Sequence, residues 1–126
     1  MVEVICDTSF LMILASEKIK NISNLETELG SIKFVIPNIV VKELKRLCEG
    51  DIHKSKVATA ALQLIKDFKK IEISGSYVDD AILSYIKSSK GVVATLDLVL
   101  KKKIKELGGS VVSLSNNRIV LEPSKV

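Results

Sequence analysis

Apolar, β-branched runs alternate with amphipathic stretches from one end of the chain to the other. Val2 to Cys6 reads as a buried strand and Phe10 to Ser16 as an apolar helix. Asn21 to Leu29 predicts a second short helix, and Lys33 to Ile36 a second strand. Pro37 then stands where a helix can begin, because the N–H it lacks has no use at that position. The helix that follows places Val40, Val41, Leu44 and Leu47 along one face, and Gly50 closes it. Lys54 to Lys69, carrying Val57, Ala61, Leu64, Ile65 and Phe68, predicts another helix. A short strand at Ile71 to Ile73 leads to a helix from Tyr77 to Ser88. Strand Val92 to Ala94, helix Leu96 to Leu107 and strand Val111 to Leu114 complete the alternation, with Gly108-Gly109 as a left-handed helix stop. Arg118 to Leu121 predicts an edge strand, and Pro123 begins a tail.

Strands apolar on both faces and alternating with helices predict a mostly parallel sheet in a three-layer α/β fold. Neither an internal repeat nor a linker divides the 126 residues, so one domain is expected over residues 1–122, with a tail over 123–126. Apolar runs fall well short of the ~20 residues a membrane helix needs. The chain opens directly into a strand with no basic leader, so a cytoplasmic location is expected rather than secretion. Cys6 and Cys48 form no metal-ligand pattern and read as free thiols of a reducing compartment.

Composition narrows the chemistry. The single histidine, His53, excludes reactions that need several imidazoles and leaves the work to carboxylates. Net charge is +4, and only Arg46 and Arg118 are arginines. Lysine neutralises phosphate as a point charge, whereas arginine reads base edges with its fork, so the balance suits a nucleic-acid backbone. No GxGxxG, Walker or GxSxG pattern is present, which removes support for nucleotide cofactors and serine hydrolysis.

The acids fall at strand exits. Asp7 follows the first strand, Asp97 follows Val92 to Ala94, Glu43 lies in the helix after the second strand, and Asp79-Asp80 open a later helix. Open parallel sheets bind ligands beyond the carboxyl ends of their strands, where strand order reverses. If the first strand is central and Val92 to Ala94 is its neighbour, Asp7 and Asp97 meet at one mouth, with Glu43 and Asp79 or Asp80 leaning in. Each acid has a structural alternative as well. Asp7, Thr8 and Ser9 can cap the first helix, Thr95 the helix carrying Asp97, and Ser76 with Asp79 can form a capping box. Two like charges about 4 Å apart cost ~4 kcal/mol at an effective dielectric near 20. Several carboxylates in one cleft therefore protonate or hold a cation, and an all-oxygen set suits Mg²⁺ or Mn²⁺. Such an ion makes phosphodiester cleavage the chemistry that fits.

Asp7-Thr8-Ser9, Val40-x-x-Glu43-Leu44, Asp79-Asp80-Ala81-Ile82-Leu83 and Ala94-Thr95-x-Asp97, in this order and spacing, resemble the PIN-domain nucleases over nearly the whole chain. The likeness is strongest to archaeal members related to ribosome-biogenesis endonucleases and more distant to toxin-type members. It implies a Rossmann-like α/β/α sandwich with a five-stranded parallel sheet and an acidic Mg²⁺/Mn²⁺ pocket. It further implies endonucleolytic cleavage of single-stranded RNA, pre-rRNA among the substrates. Carried over by position, Asp7 and Asp97 are principal metal ligands, Glu43 a ligand or water-orienting acid, and Thr8, Ser9 and Thr95 supporting hydroxyls. For the remaining acid, Asp80 sits better in the motif, whereas Asp79 shares a helix face with Ile82, Leu83 and Ile86.

One position departs from the family: Val99 stands where many members carry another acid or amide, which puts a second metal and full activity in question. A binding module in ribosome assembly with a weakened pocket, and a toxin held by an antitoxin partner, are the competing roles. A receiver-like signalling domain fails, since it needs an Asp ending its third strand and a Lys after its fifth. Lys101, Lys102, Lys103 and Lys105, with Lys42, Lys45 and Arg46 around Glu43, are candidates for RNA phosphate contact, or else solvated helix faces. Aromatic residues make up only 4%, which gives no support to base stacking and leaves Tyr77 and Tyr85 as core or rim. A mean hydropathy of +0.29 is compatible with a homodimer.

Overall fold

In the computed structural model, residues 2–17, 30–116 and 118–125 are described, so the helix predicted at Asn21 to Leu29 lies outside them. Strands β1 (Val2–Cys6), β2 (Ile32–Pro37), β3 (Lys69–Ile71), β4 (Val92–Ala94) and β5 (Ser110–Ser115) run parallel, in the order β3-β2-β1-β4-β5. A further strand, β6 (Arg118–Glu122), joins β5 antiparallel at the edge. The chain works outward from β1 through β2 to β3, then returns to place β4 on the other side of β1. That reversal puts the ends of β1 and β4 next to each other, with Cys6 opposite Ala94.

Helices α1 (Thr8–Ser16), α2 (Asn38–Leu47) and α3 (Ile52–Leu64) pack on one another, and α4 (Val78–Ser89) packs on α5 (Leu98–Glu106). The central strands are apolar because both faces are covered: Val4, Val35, Val93 and Val111 are fully buried. On α2 the buried residues are Ile39, Val40 and Leu44, while Val41 and Leu47 are half-buried. Asp51 starts α3 by accepting from the backbone N–H groups of His53 and Lys54. The helix ends at Leu64, sooner than its apolar pattern predicts, and Ile65 turns inward to the core.

Strand β3 lies two residues before its predicted place. Its register on β2, with Val35 opposite Lys69 and Pro37 opposite Ile71, is an edge pairing in which two of three side chains face water. Edge strands carry lysine without penalty, and Lys69 pairs with Glu3 at 2.7 Å. Ile73 is buried as a loop residue, its N–H donating to Asn38 Oδ1 at 3.0 Å. Past α5, Gly108 takes φ +93°, the left-handed geometry anticipated for the helix stop.

Strand β6 is tied to α5 by one carboxylate. Glu122 accepts from Lys101 Nζ at 2.9 Å, from Lys105 Nζ, and from Ser113 Oγ at 2.6 Å. Burial pushes the Glu122 carboxyl up, but these three donors overcome it and hold its pKa at about 2.

Candidate active site

The mouth of the β1/β4 cleft is built from two helix starts. Asp7 immediately follows β1, and its backbone N–H donates to Ala94 O at 3.1 Å, fastening it to the end of β4. Asp7 Oδ1 accepts from Phe10 N and Ser9 Oγ, both at 2.9 Å, so it caps α1 as the sequence suggests. Its other oxygen, Oδ2, accepts a short bond from Thr95 Oγ1. Thr95 does not cap α5. Asp97 performs that task itself, Oδ1 accepting from Leu100 N at 2.9 Å, while Thr95 Oγ1 accepts from Asp97 N at 3.1 Å. One hydroxyl thereby links the two acids. Ser9 Oγ adds a second tie by accepting from Leu96 N at 3.1 Å. The capping box at Ser76 and Asp79 does not form: Tyr77 occupies the N-cap of α4 and makes no side-chain cap bond.

Burial sets the electrostatics. Asp7 is 3% exposed. That burial drives its pKa up to about 6, against the opposing bonds from Thr95, Phe10 and Ser9, and the nearby Asp79 carboxylate pushes the same way. Asp79 is itself raised, first by partial burial and then by Asp97, Glu43 and Asp80, with Lys103 opposing. Asp79 is thus the carboxylate coupled to both strand-exit acids. Asp80 stands beside it at the lip of an approximately 380 Å³ recess shared with Glu43, Tyr77 and Val78.

Several oxygens remain open. An ionised carboxylate oxygen offers about two lone-pair sites, so Asp7 Oδ2 keeps one beyond Thr95. Asp97 Oδ2 accepts no bond among the described residues. Glu43 is engaged by Arg46 at 3.4 Å through Oε2 alone. Thr8 Oγ1, buried beside Asp7, has no hydrogen-bond partner among the described residues. No three acids among those residues stand close enough to enclose an ion by themselves. A closed cage is not what a small hard cation requires, because Mg²⁺ keeps several waters and commonly takes only one or two carboxylates. Two raised carboxylates, Asp7 and Asp79, with free carboxylate oxygens and an orphaned buried hydroxyl, together suit a hydrated divalent ion.

The lysines divide into two sets. Lys101 and Lys105 are committed to Glu122, whereas Lys102 and Lys103 are exposed on α5 and Lys103 is felt by Asp79. Lys42, Lys45 and Arg46 are exposed on α2 around Glu43. Val99 is also exposed and puts no oxygen on the first turn of α5.

The family model for PIN-like domains matches residues 4–117. The chain belongs to that family. The chain is 35% identical over 111 residues to the ribonuclease VapC4 of Methanocaldococcus jannaschii, a match covering 84% of this chain and 85% of that protein. Among solved structures it resembles the PIN domain endonuclease Utp24, with a TM-score of 0.77 and 30% identity over 98% of this chain and 95% of that one. The PIN fold expected from the ordered acids is therefore the fold observed, its parallel strands extended by antiparallel β6. No helix among the described residues is long and apolar enough to cross a membrane.

Two side chains at this PIN-domain cleft take their places from the tertiary structure. Thr95 emerges as the bridge between Asp7 and Asp97 rather than as a cap, a role that depends on strand adjacency. Tyr77 is 73% exposed and lines the recess beside Glu43 and Asp79. Its position ahead of the buried stripe Val78, Ala81, Ile82 and Ile86 is the signal that separates it from the core.

Proposed function

We propose that this PIN domain is an endoribonuclease that cleaves phosphodiester bonds of single-stranded RNA with a divalent cation, Mg²⁺ or Mn²⁺, held at the β1/β4 mouth. The carrying observation is the convergence of Asp7, Asp79, Asp97 and Glu43 at the point where strand order reverses, with Asp7 and Asp79 both raised. The similarity to a protein named a ribonuclease and to one titled a PIN domain endonuclease supports the same reading.

Asp7 and Asp97 are the residues to hold the ion, with Asp79 and Glu43 completing the acidic wall and Asp80 at its rim. A hard divalent ion supplies charge to stabilise the phosphodiester oxygens and to acidify an attacking water. Thr95 and Ser9 fix the orientation of the Asp7 carboxylate by holding one oxygen each. Thr8 Oγ1, buried and without a partner among the described residues, would be the hydroxyl left to support a bound ion. Val99 contributes no oxygen to this set, which puts a second metal in question. Cleavage of an unstructured RNA in Mn²⁺ or Mg²⁺, and its loss in EDTA, is the expected result. Cleavage at full rate in EDTA would remove the metal from the mechanism.

Exposed Lys102, Lys103, Lys42 and Lys45, with Arg46 held only at 3.4 Å from Glu43, would neutralise flanking phosphates, which acids beside them would otherwise repel. The two lysine sets on α5 should separate cleanly on substitution. Lys102→Ala with Lys103→Ala is expected to weaken RNA binding and reduce the slope of log affinity against log salt by up to about 2, one for each phosphate no longer neutralised. Lys101→Ala with Lys105→Ala should instead lower the unfolding free energy measured in urea by about 1–3 kcal/mol, because Glu122 loses its partners while half-buried. Equal effects of both pairs on the salt slope would erase the distinction.

Ribosomal RNA processing is the role we favour for the cleavage, as the resemblance of the ordered acid motifs to ribosome-biogenesis-type PIN endonucleases implies. A toxin role with an antitoxin partner is the second reading, implied by the more distant resemblance to toxin-type members; the match to VapC4 supports the ribonuclease activity common to both readings.

A further inference from the structure

The chain has five aromatic side chains, and four of them serve the interior. Phe10, Phe34 and Phe68 form a series of ring pairs, at 6.0 Å and 6.1 Å between centroids, and Tyr85 packs half-buried against the core. Tyr77 is the exception. It is 73% exposed, and neither its ring nor its hydroxyl has a partner among the described residues. An aromatic side chain carries a large apolar surface that favours burial against something.

The backbone under Tyr77 is firmly placed. Upstream, Asn38 at the start of α2 holds Ile73 N. At Gly75, φ is +144° and a Cβ would stand 2.7 Å from the Ala81 Cβ, so the turn lies directly on α4 in a way only glycine permits. From this turn Tyr77 forms one wall of a groove of about 370 Å³, with Lys42, Glu43 and Arg46 of α2 among its other lining residues. The same ring borders the recess holding Glu43, Asp79 and Asp80. Arg46 is largely exposed and only loosely paired with Glu43 at 3.4 Å, so its guanidinium can turn to a phosphate with little loss.

We propose that Tyr77 is a stacking platform that takes one unpaired base of the RNA next to the acidic mouth, while Lys42 and Arg46 hold the adjoining phosphates. The proposal rests on the ribonuclease reading for its substrate. It adds a positioning residue and a reason for strand selectivity: a base inside a duplex has both faces occupied and cannot stack on a side chain.

The test measures binding in EDTA, so that cleavage plays no part. Three probes of equal length are used: a labelled oligouridylate, an abasic oligomer and an RNA duplex. Tyr77→Ala should weaken oligouridylate binding roughly 5- to 100-fold, the range for removal of one base–aromatic stack. Tyr77→Phe should bind like the wild type, and the abasic and duplex probes should not distinguish Tyr77→Ala from the wild type. Because Tyr77 is exposed, unchanged melting of the variant is expected. Wild-type affinity of Tyr77→Ala for oligouridylate would overturn the proposal and assign the ring to a protein contact. An equal loss on all three probes would also overturn it, by showing damage to the groove rather than removal of a stack. Failure of the wild type to bind any RNA sinks this proposal and the ribonuclease reading together. Selective loss on oligouridylate, in a protein that cleaves RNA with no metal, supports the platform and refutes only the metal-dependent mechanism.

Discussion

Asp7→Asn should reduce metal-dependent RNA cleavage by more than about 100-fold while leaving the fold intact. Removing a partner one shell away from a metal typically costs roughly 10–100-fold, and a direct ligand should cost more. The fold survives because asparagine still accepts from Phe10 N and Ser9 Oγ through its amide oxygen, so α1 keeps its cap. Its amide nitrogen then faces Thr95 Oγ1, which can reorient to accept. Asp97→Asn should behave alike, since the cap on Leu100 N needs only one oxygen. Single-turnover cleavage of an unstructured RNA in Mn²⁺, with circular dichroism as a check on folding, measures both effects. Wild-type rates in either variant would move the active site elsewhere.

Stability should respond to the same substitution in the opposite direction. The Asp7 carboxyl is raised from an ordinary 3.8 to about 6 in the folded chain, by burial above all. The folded state therefore binds this proton more tightly than the unfolded state. Stability from it is complete below about pH 4 and is lost as pH rises through 6. By pH 8 the buried charge costs on the order of 3 kcal/mol. Asp7→Asn should accordingly be more stable than the metal-free wild type at pH 8, with the gap closing between pH 6 and pH 4. A cation at the mouth should reverse this penalty. A ligand of the folded state at a hundred times its Kd adds about 2.7 kcal/mol, or on the order of 10 °C in Tm for a chain of this size. Saturating Mn²⁺ should raise the wild-type Tm at pH 8 by that order, and less toward pH 5, where protons compete for the same oxygens. Asp7→Asn should lose the shift, and Ca²⁺ should reproduce part of it in the wild type. Equal Mn²⁺ shifts in both proteins would leave Asp7 as a helix cap and nothing more.

Much of this was readable from residue order. Strands buried on both faces announce themselves as continuous apolar runs, so β1, β2, β4 and β5 were legible. Helices were legible through their apolar stripes, and the acids stood out because Asp7 and Asp97 stand at strand exits while Glu43 and Asp79-Asp80 lie in the helices that come after strands. Edge strand β3 was misplaced by two residues, since an edge strand is defined by what it pairs with and needs no apolar signature. Stripe and spacing named Asp7, Glu43, Asp97 and the pair Asp79-Asp80 without saying which of that pair meets the others. Only the strand order β3-β2-β1-β4-β5 brings Asp7 to Asp97, and only the seating of α4 brings Asp79 to both. Thr95 and Glu122 show the same division. A threonine before a helix looks like a cap until the neighbouring strand supplies Asp7 as its acceptor, 88 residues away. Lysines on a helix look solvated until β6 sets a carboxylate beside two of them. Periodicity is a local property carried by each element alone, whereas a shared hydrogen bond or a raised pKa belongs to groups that only the packed sheet makes neighbours.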